Sequence, residues 1–117
     1  MDYKVLITSR ARESLSRYIH YTAVVLQNPQ AARSIGIDAR ETKNRLSKIA
    51  EIISLCEHPL LSKFGYRKIH FRKHDFFMVY RVENNIVIVE EMFHDLQDFE
   101  SVFIKSIRKN QSEENLR

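Results

Sequence analysis

Two apolar stripes at helical spacing, separated by the dipeptide Asn28-Pro29, constrain this chain more than any other feature. The first runs through Ala11, Leu15, Tyr18, Ile19, Thr22, Val25 and Leu26, with Arg12, Glu13, Ser16, Arg17 and His20 on the opposite side. The second takes in Ala32, Ile35, Ala39, Thr42, Leu46, Ile49 and Ile53 at alternating steps of three and four. Such spacing buries one face of a helix. Asn is a good N-cap and Pro suits the first helical position, so Asn28-Pro29 ends one helix and starts the next. A connection this short folds the pair back as an antiparallel hairpin. Thr8 and Ser9 offer the cap for the first helix, and His58-Pro59 is read as the end of the second, with residues 60–64 as a loop.

The rest of the chain alternates with the period of strands. Residues 3–8, YKVLIT, form a short β-rich run ahead of the first helix. Residues 66–72 put Ile69 and Phe71 on one side and Tyr66, Lys68, His70 and Arg72 on the other, with Arg67 on the Ile69 side. Residues 76–82 are apolar on both faces, as in a central strand, and Asn84-Asn85 signals a turn into the run 86–93. Helical spacing returns at Phe99, Val102, Phe103 and Ile107. The predicted order is β-α-α-β-β-β-α, an α+β layer in which the helical hairpin packs on an antiparallel sheet of about four strands. Leu15, Ile19, Leu46, Ile49, Ile53, Ile69, Phe71 and Val79 are the predicted core. The sheet face away from the hairpin stays open unless the last helix or a partner covers it.

At 117 residues this is one domain, read as 1–109 with a disordered polar tail at 110–117. A single cysteine, Cys56, excludes an internal disulfide and fits a reducing cytoplasm; its place near the end of the second stripe makes it a core residue rather than a nucleophile. No apolar run approaches the ~18 residues of a membrane span, and no signal-peptide core opens the chain. His70 and His74 lie in or near a strand, so their spacing does not make a metal pair, and the two glycines cannot build a phosphate loop. No metal and no small-molecule cofactor are expected.

The formal charge is only +4, but its placement is uneven. Between Lys63 and Arg81 stand Lys63, Arg67, Lys68, Arg72, Lys73 and Arg81 against one acid, Asp75. Tyr66, His70 and Tyr80 are interleaved with them. Aromatic rings among cations suit a nucleic acid, whose bases stack while its phosphates are neutralised. The plain alternative is a solvated strand face. Neutral imidazole can remove a 2′-hydroxyl proton, imidazolium can protonate a leaving oxygen, and guanidinium can hold charge on phosphorus.

The ordered set YKVLIT, NPQAA, YRKI, FFMVYRVENNIVIV and FHDLQDFE resembles the RelE/ParE superfamily of type II toxin–antitoxin toxins, also known as the plasmid stabilisation family, over residues 2 to 103. The resemblance implies a toxin held by a cognate antitoxin. RelE-like members cut mRNA in the ribosomal A site; ParE-like members share the fold, lack the catalytic groups and poison DNA gyrase. Arg67 or Lys68 matches the first basic strand position, His70 the second and Arg72 a further one. Phe76 or Phe77 stands where an early strand arginine belongs, His94-Asp95 or Gln97 replaces a late one, and Phe103 falls near the C-terminal tyrosine. An mRNA endonuclease built on this chain therefore uses His70 and His94 for proton transfer with Arg81 beside them. Arg67, Lys68, Arg72, Lys73 and Tyr80 are then the RNA contacts. That reading comes first; a gyrase inhibitor without enzyme activity, or a member that only binds a partner, are the alternatives.

Overall fold

A computed structural model describes residues 2–115, with side chains described through residue 109. The chain begins with strand β1, Lys4–Ile7, and helix α1, Ser9–His20. Thr8 caps α1, its hydroxyl accepting from the Ala11 N–H. The helix does not run on regularly. Tyr21–Val25 forms a π-helical turn, and Gln27 then takes a positive φ of 52° to reverse the chain. The wider turn shifts the apolar stripe off register. Val25 and Leu26, expected on the buried side, are exposed together with Tyr21 and Val24 at the tip of the hairpin.

Helix α2, Pro29–Ile49, starts where the sequence places it, with the Asn28 side chain accepting from Ala31 N–H at 3.0 Å. It ends at Ile49, well before His58. The segment from Glu51 to Glu57 is loop, and Cys56, though buried as expected, sits there rather than on the helix. His58-Pro59 opens a short helix instead of closing a long one. This α3, Pro59–Lys63, is capped by His58, whose Nδ1 accepts from Leu60 N–H.

Strands β2, Arg67–His70, β3, Phe76–Glu83, and β4, Ile86–His94, follow as an antiparallel meander, with Asn84 at positive φ in the β3–β4 turn. The sheet order is β1-β4-β3-β2. β1 pairs with β4 in parallel, so the sheet is mixed rather than wholly antiparallel. The reason lies in the connection: α1 and α2 return the chain past the sheet before β2 begins. The final helix, α4, Phe99–Asn115, continues beyond Lys109 into the segment read as a tail; Leu116 and Arg117 lie outside the described residues.

Two apolar layers result. On one face Ala11, Ile35, Ala39 and Leu46 of the hairpin pack against Ile69, Met78, Tyr80, Val87 and Val89. Phe71 also lies in this layer, while Leu15, Ile19, Ile49 and Ile53 are half-buried around it. On the other face Phe99, Phe103, Ile104 and Ile107 of α4, with Leu61 of α3, cover Phe77, Val79 and Phe93. The last helix therefore closes much of the sheet face on which the basic strand residues project.

Candidate catalytic and nucleic-acid site

The residues of β2 divide as their alternation predicts, but not into an open surface. Tyr66 packs edge-on against Phe103 of α4, ring centroids 4.9 Å apart. Lys68 lays its ammonium over two rings, 4.8 Å from the centroid of Phe99 and 5.3 Å from that of Phe77. Such cation–π contacts contribute roughly 0.5–1 kcal/mol each and hold the lysine down on the helix. His70 leans on Phe77 at 5.3 Å, and its Nε2 lies 3.7 Å from Asp95 Oδ1. A groove of about 480 Å³ runs beside these residues, lined by Leu55, Cys56, His58, Lys68, His70 and Phe99.

Arg67, on the opposite parity, donates from Nη1 to the carbonyls of Ile53 and Glu51. It ties β2 to the loop after α2. Arg81 is similarly engaged: Nε meets Glu90 Oε1 at 2.9 Å and Nη1 meets Glu83 Oε1. Burial works against its charge, yet the two carboxylates more than offset that and raise its pKa. A guanidinium already paired twice is poorly placed to take charge from a phosphate.

Tyr80 does not join the basic residues. It is fully buried on the hairpin side, and its hydroxyl donates to the Ala50 carbonyl at 2.6 Å, where α2 ends. Burial raises its phenol pKa. The register explains the placement: Tyr80 stands opposite Arg67, and Val79 opposite Lys68.

His94 is separated from His70 by the sheet itself. Its ring meets Phe76 edge-on at 5.0 Å, whereas His70 rests on Phe77, and these neighbouring phenylalanines point into opposite layers. His94 lines a second, apolar cavity of about 530 Å³ with Tyr18, Tyr21, Leu26 and Phe76. A β-bulge causes the split. Val79 pairs with Glu91 and Tyr80 with Val89, leaving Glu90 as an extra residue on β4. One extra residue reverses the side-chain alternation beyond it. The bulge also turns Glu91 toward α1, where Arg10 Nε at 2.9 Å and Ser14 Oγ at 2.6 Å satisfy its buried carboxylate.

His94 is committed locally as well. Its Nδ1 accepts from Leu96 N–H at 3.1 Å, so the neutral ring carries its proton on Nε2 and offers a donor there, not a base. Its backbone N–H donates to Gln97 Oε1 at 2.8 Å, which also accepts from the Tyr18 hydroxyl at 2.6 Å. The HxxQ spacing thus serves to fix the turn after β4.

Arg72 and Lys73 are exposed in the β2–β3 connection. Their backbone N–H groups donate to Asp38 at 3.2 and 2.9 Å, and His74 Nδ1 lies 2.7 Å from the same carboxylate. Asp38, 1% exposed on α2, is the organising residue that sequence reasoning missed. Its signal was present: it is an acid beside Ile35, Ala39 and Thr42 on the apolar stripe. Among the described residues, no three His, Cys, Asp or Glu side chains gather as metal ligands, and no helix is long and apolar enough to cross a membrane.

A small sheet with a helical hairpin on one face and a closing helix on the other defines the class, and comparison with known proteins gives the family. The family model described as ParE toxin of type II toxin-antitoxin system, parDE, matches residues 5–99. The chain belongs to that family. No curated protein matches the sequence. A chain of the chromosomal ParDE toxin–antitoxin system from P. aeruginosa superposes with a TM-score of 0.62 at 20% identity, covering 79% of this chain and 95% of that one. A chain of the RelBE2 toxin–antitoxin complex from Mycobacterium tuberculosis gives 0.55 at 18% identity, covering 80% and 99%. At these identities the likeness speaks for the fold, which is the RelE/ParE-like fold the sequence implies.

Proposed function

We propose that this toxin disables its target by binding rather than by cutting RNA, with DNA gyrase as the target that the ParE resemblance implies. The observation that carries this reading is the placement of His70 and His94 on opposite faces of the sheet, each beside its own phenylalanine. A single phosphodiester needs its base and its acid within hydrogen-bond reach together. The double pairing of Arg81, the burial of Tyr80 and the helix over Lys68 weigh the same way. The first reading of the sequence, ribosome-dependent mRNA cleavage, finds less support in this geometry.

A cognate antitoxin completes the proposal. The exposed Tyr21, Val24, Val25 and Leu26 at the hairpin tip, next to the apolar cavity at Phe76, suit an amphipathic, acidic segment of such a partner. The site of action would be the cytoplasm. The test is induced expression in a host cell with purified protein alongside. The expected result is induction of the DNA-damage response and loss of gyrase supercoiling activity. Translation arrest with cut mRNA, abolished by His70→Ala, would overturn the reading.

A further inference from the structure

The π-helical turn at the hairpin tip shapes the cavity beside it. In an α-helix, residues five apart point about 140° away from each other. Here the Leu26 N–H donates to the carbonyl of Tyr21, five residues back, at 3.0 Å. The wider turn brings Tyr21 and Leu26 to one side, and both line the apolar cavity of about 530 Å³. Turns of this kind are frequent at functional sites. Three rings make the remaining walls. Tyr18 lies 4.8 Å from Phe76, centroid to centroid, and His94 meets Phe76 edge-on at 5.0 Å. Phe76 is buried, so the core holds this wall in place. The volume falls within the range of small-molecule sites, roughly 300–1,000 Å³.

No carboxylate lines this cavity. Thr22 Oγ1 is spent on the Tyr18 carbonyl, and the Tyr18 hydroxyl on Gln97. Three donors remain. Arg17 gives one nitrogen to Ser14 Oγ at 3.0 Å, and among the described residues no carboxylate pairs with it. His94 has its Nδ1 committed to the Leu96 N–H, which leaves Nε2–H as a donor. The third is the Tyr21 phenol, on an exposed side chain. Glu91 acts on Tyr18 through its charge, but its carboxylate is buried and already met by Arg10 and Ser14.

A slot walled by rings, with donors and no acidic group on its lining, is complementary to a flat apolar anion. Aromatic walls take a ring by stacking or edge contact, and a guanidinium fork matches the two oxygens of a carboxylate. We propose that this cavity binds a small aromatic carboxylate, its ring among Tyr18, Phe76 and His94 and its carboxylate on Arg17. The antitoxin segment proposed above belongs to the exposed tip beside the cavity. The ligand site is argued from its own walls and rests on neither the gyrase nor the antitoxin reading.

The test is titration of naphthalene-2-carboxylate with the purified full chain. The chain has no tryptophan, so the fluorescence of the probe itself reports binding. Naphthalene-2-methanol is the neutral control and decanoate the aliphatic competitor. Saturable one-site binding is expected with a Kd below about 1 mM, the level reached by ligands of this size. Arg17→Gln is expected to weaken the carboxylate about tenfold, the loss of a charge-assisted pair, and to leave the neutral control unchanged. Leu26→Trp, a change at an exposed position that fills the cavity, is expected to abolish binding of both; a circular-dichroism melt checks that each variant folds. Absence of saturation, or full binding in folded Leu26→Trp, would overturn the site. Equal loss of acid and alcohol in Arg17→Gln would overturn the role of the charge, and displacement by equimolar decanoate would overturn the aromatic assignment. A chain that sediments as a dimer, broken by Leu26→Trp and indifferent to the probe, would give the cavity to a second copy and overturn the proposal.

Discussion

Asp38 and His74, on different layers of the molecule, meet through a 2.7 Å contact between a buried carboxylate oxygen and Nδ1. Asp38→Ala leaves the imidazole and two backbone N–H groups facing an enclosed gap. Leaving buried donors without their acceptor costs about 1–3 kcal/mol. Asp38→Asn keeps one acceptor oxygen and should cost less; denaturant unfolding ranks the two. The contact also sets a pH dependence. Burial alone pushes the Asp38 carboxyl up, but His74 and the N–H groups of Lys73 and Arg72 more than compensate, and its pKa lies below the ordinary value. A depressed folded pKa stabilises the fold above the unfolded value, about pH 4, and that stabilisation is lost as pH falls toward the folded pKa. The wild-type melting temperature should therefore fall more steeply than that of Asp38→Asn below about pH 4. Parallel acid limbs would contradict it.

Leu46 is fully buried between α2 and the sheet. Leu46→Ala should cost about 2–5 kcal/mol, the range for a buried leucine whose cavity cannot collapse. Urea unfolding measures it, and an unchanged m-value would assign the loss to packing rather than to a changed unfolded state.

Tyr80→Phe removes the hydroxyl that caps the end of α2 at Ala50 and leaves that carbonyl unpaired, at a cost of about 1–3 kcal/mol. Because burial raises the phenol pKa, folding disfavours ionisation of Tyr80. The unfolded chain ionises it above about pH 10, so its contribution is complete below that pH and declines above it. The phenylalanine variant should lose less stability than wild type between neutral and strongly alkaline pH.

The double variant His70→Ala, His94→Ala should still arrest growth. Loss of a general acid–base pair would lower activity by roughly 10²–10⁴-fold, whereas a toxin that acts by binding elsewhere keeps its effect. A plating assay under induced expression reads the difference, and collapse of toxicity in a folded double variant would restore the imidazole mechanism.

The elements that were legible in the sequence are those set by neighbouring residues. Asn28-Pro29 caps its helix because both halves of that device lie side by side, and the alternation at residues 66–72 places Ile69 and Lys68 on their proper sides. What escaped depends on partners far along the chain or on a single added residue. The parallel docking of β1 beside β4 has no local signature. Tyr80 is interior because the register sets it opposite Arg67, and the register cannot be counted from one strand. The π-helical turn moves Val25 and Leu26 outward, and the bulge at Glu90 sends His94 away from His70. The basic cluster was legible as composition; that α4 covers part of it was not, because Phe99 and Phe103 pair with Tyr66 just before β2 and with rings on β3 and β4.

The pairing of β1 with β4 also bears on when this protein can be harmful. Residues 4–7 are synthesised well before residues 86–89, their hydrogen-bonding partners. Contacts so distant in sequence form late and slow the search for the native state. A nascent chain that has not yet extruded β4 holds an unpaired first strand and an unfinished sheet. Whatever the folded toxin does to its target therefore waits until β4 has been made and the edge of its sheet is closed by residues from both halves of the chain.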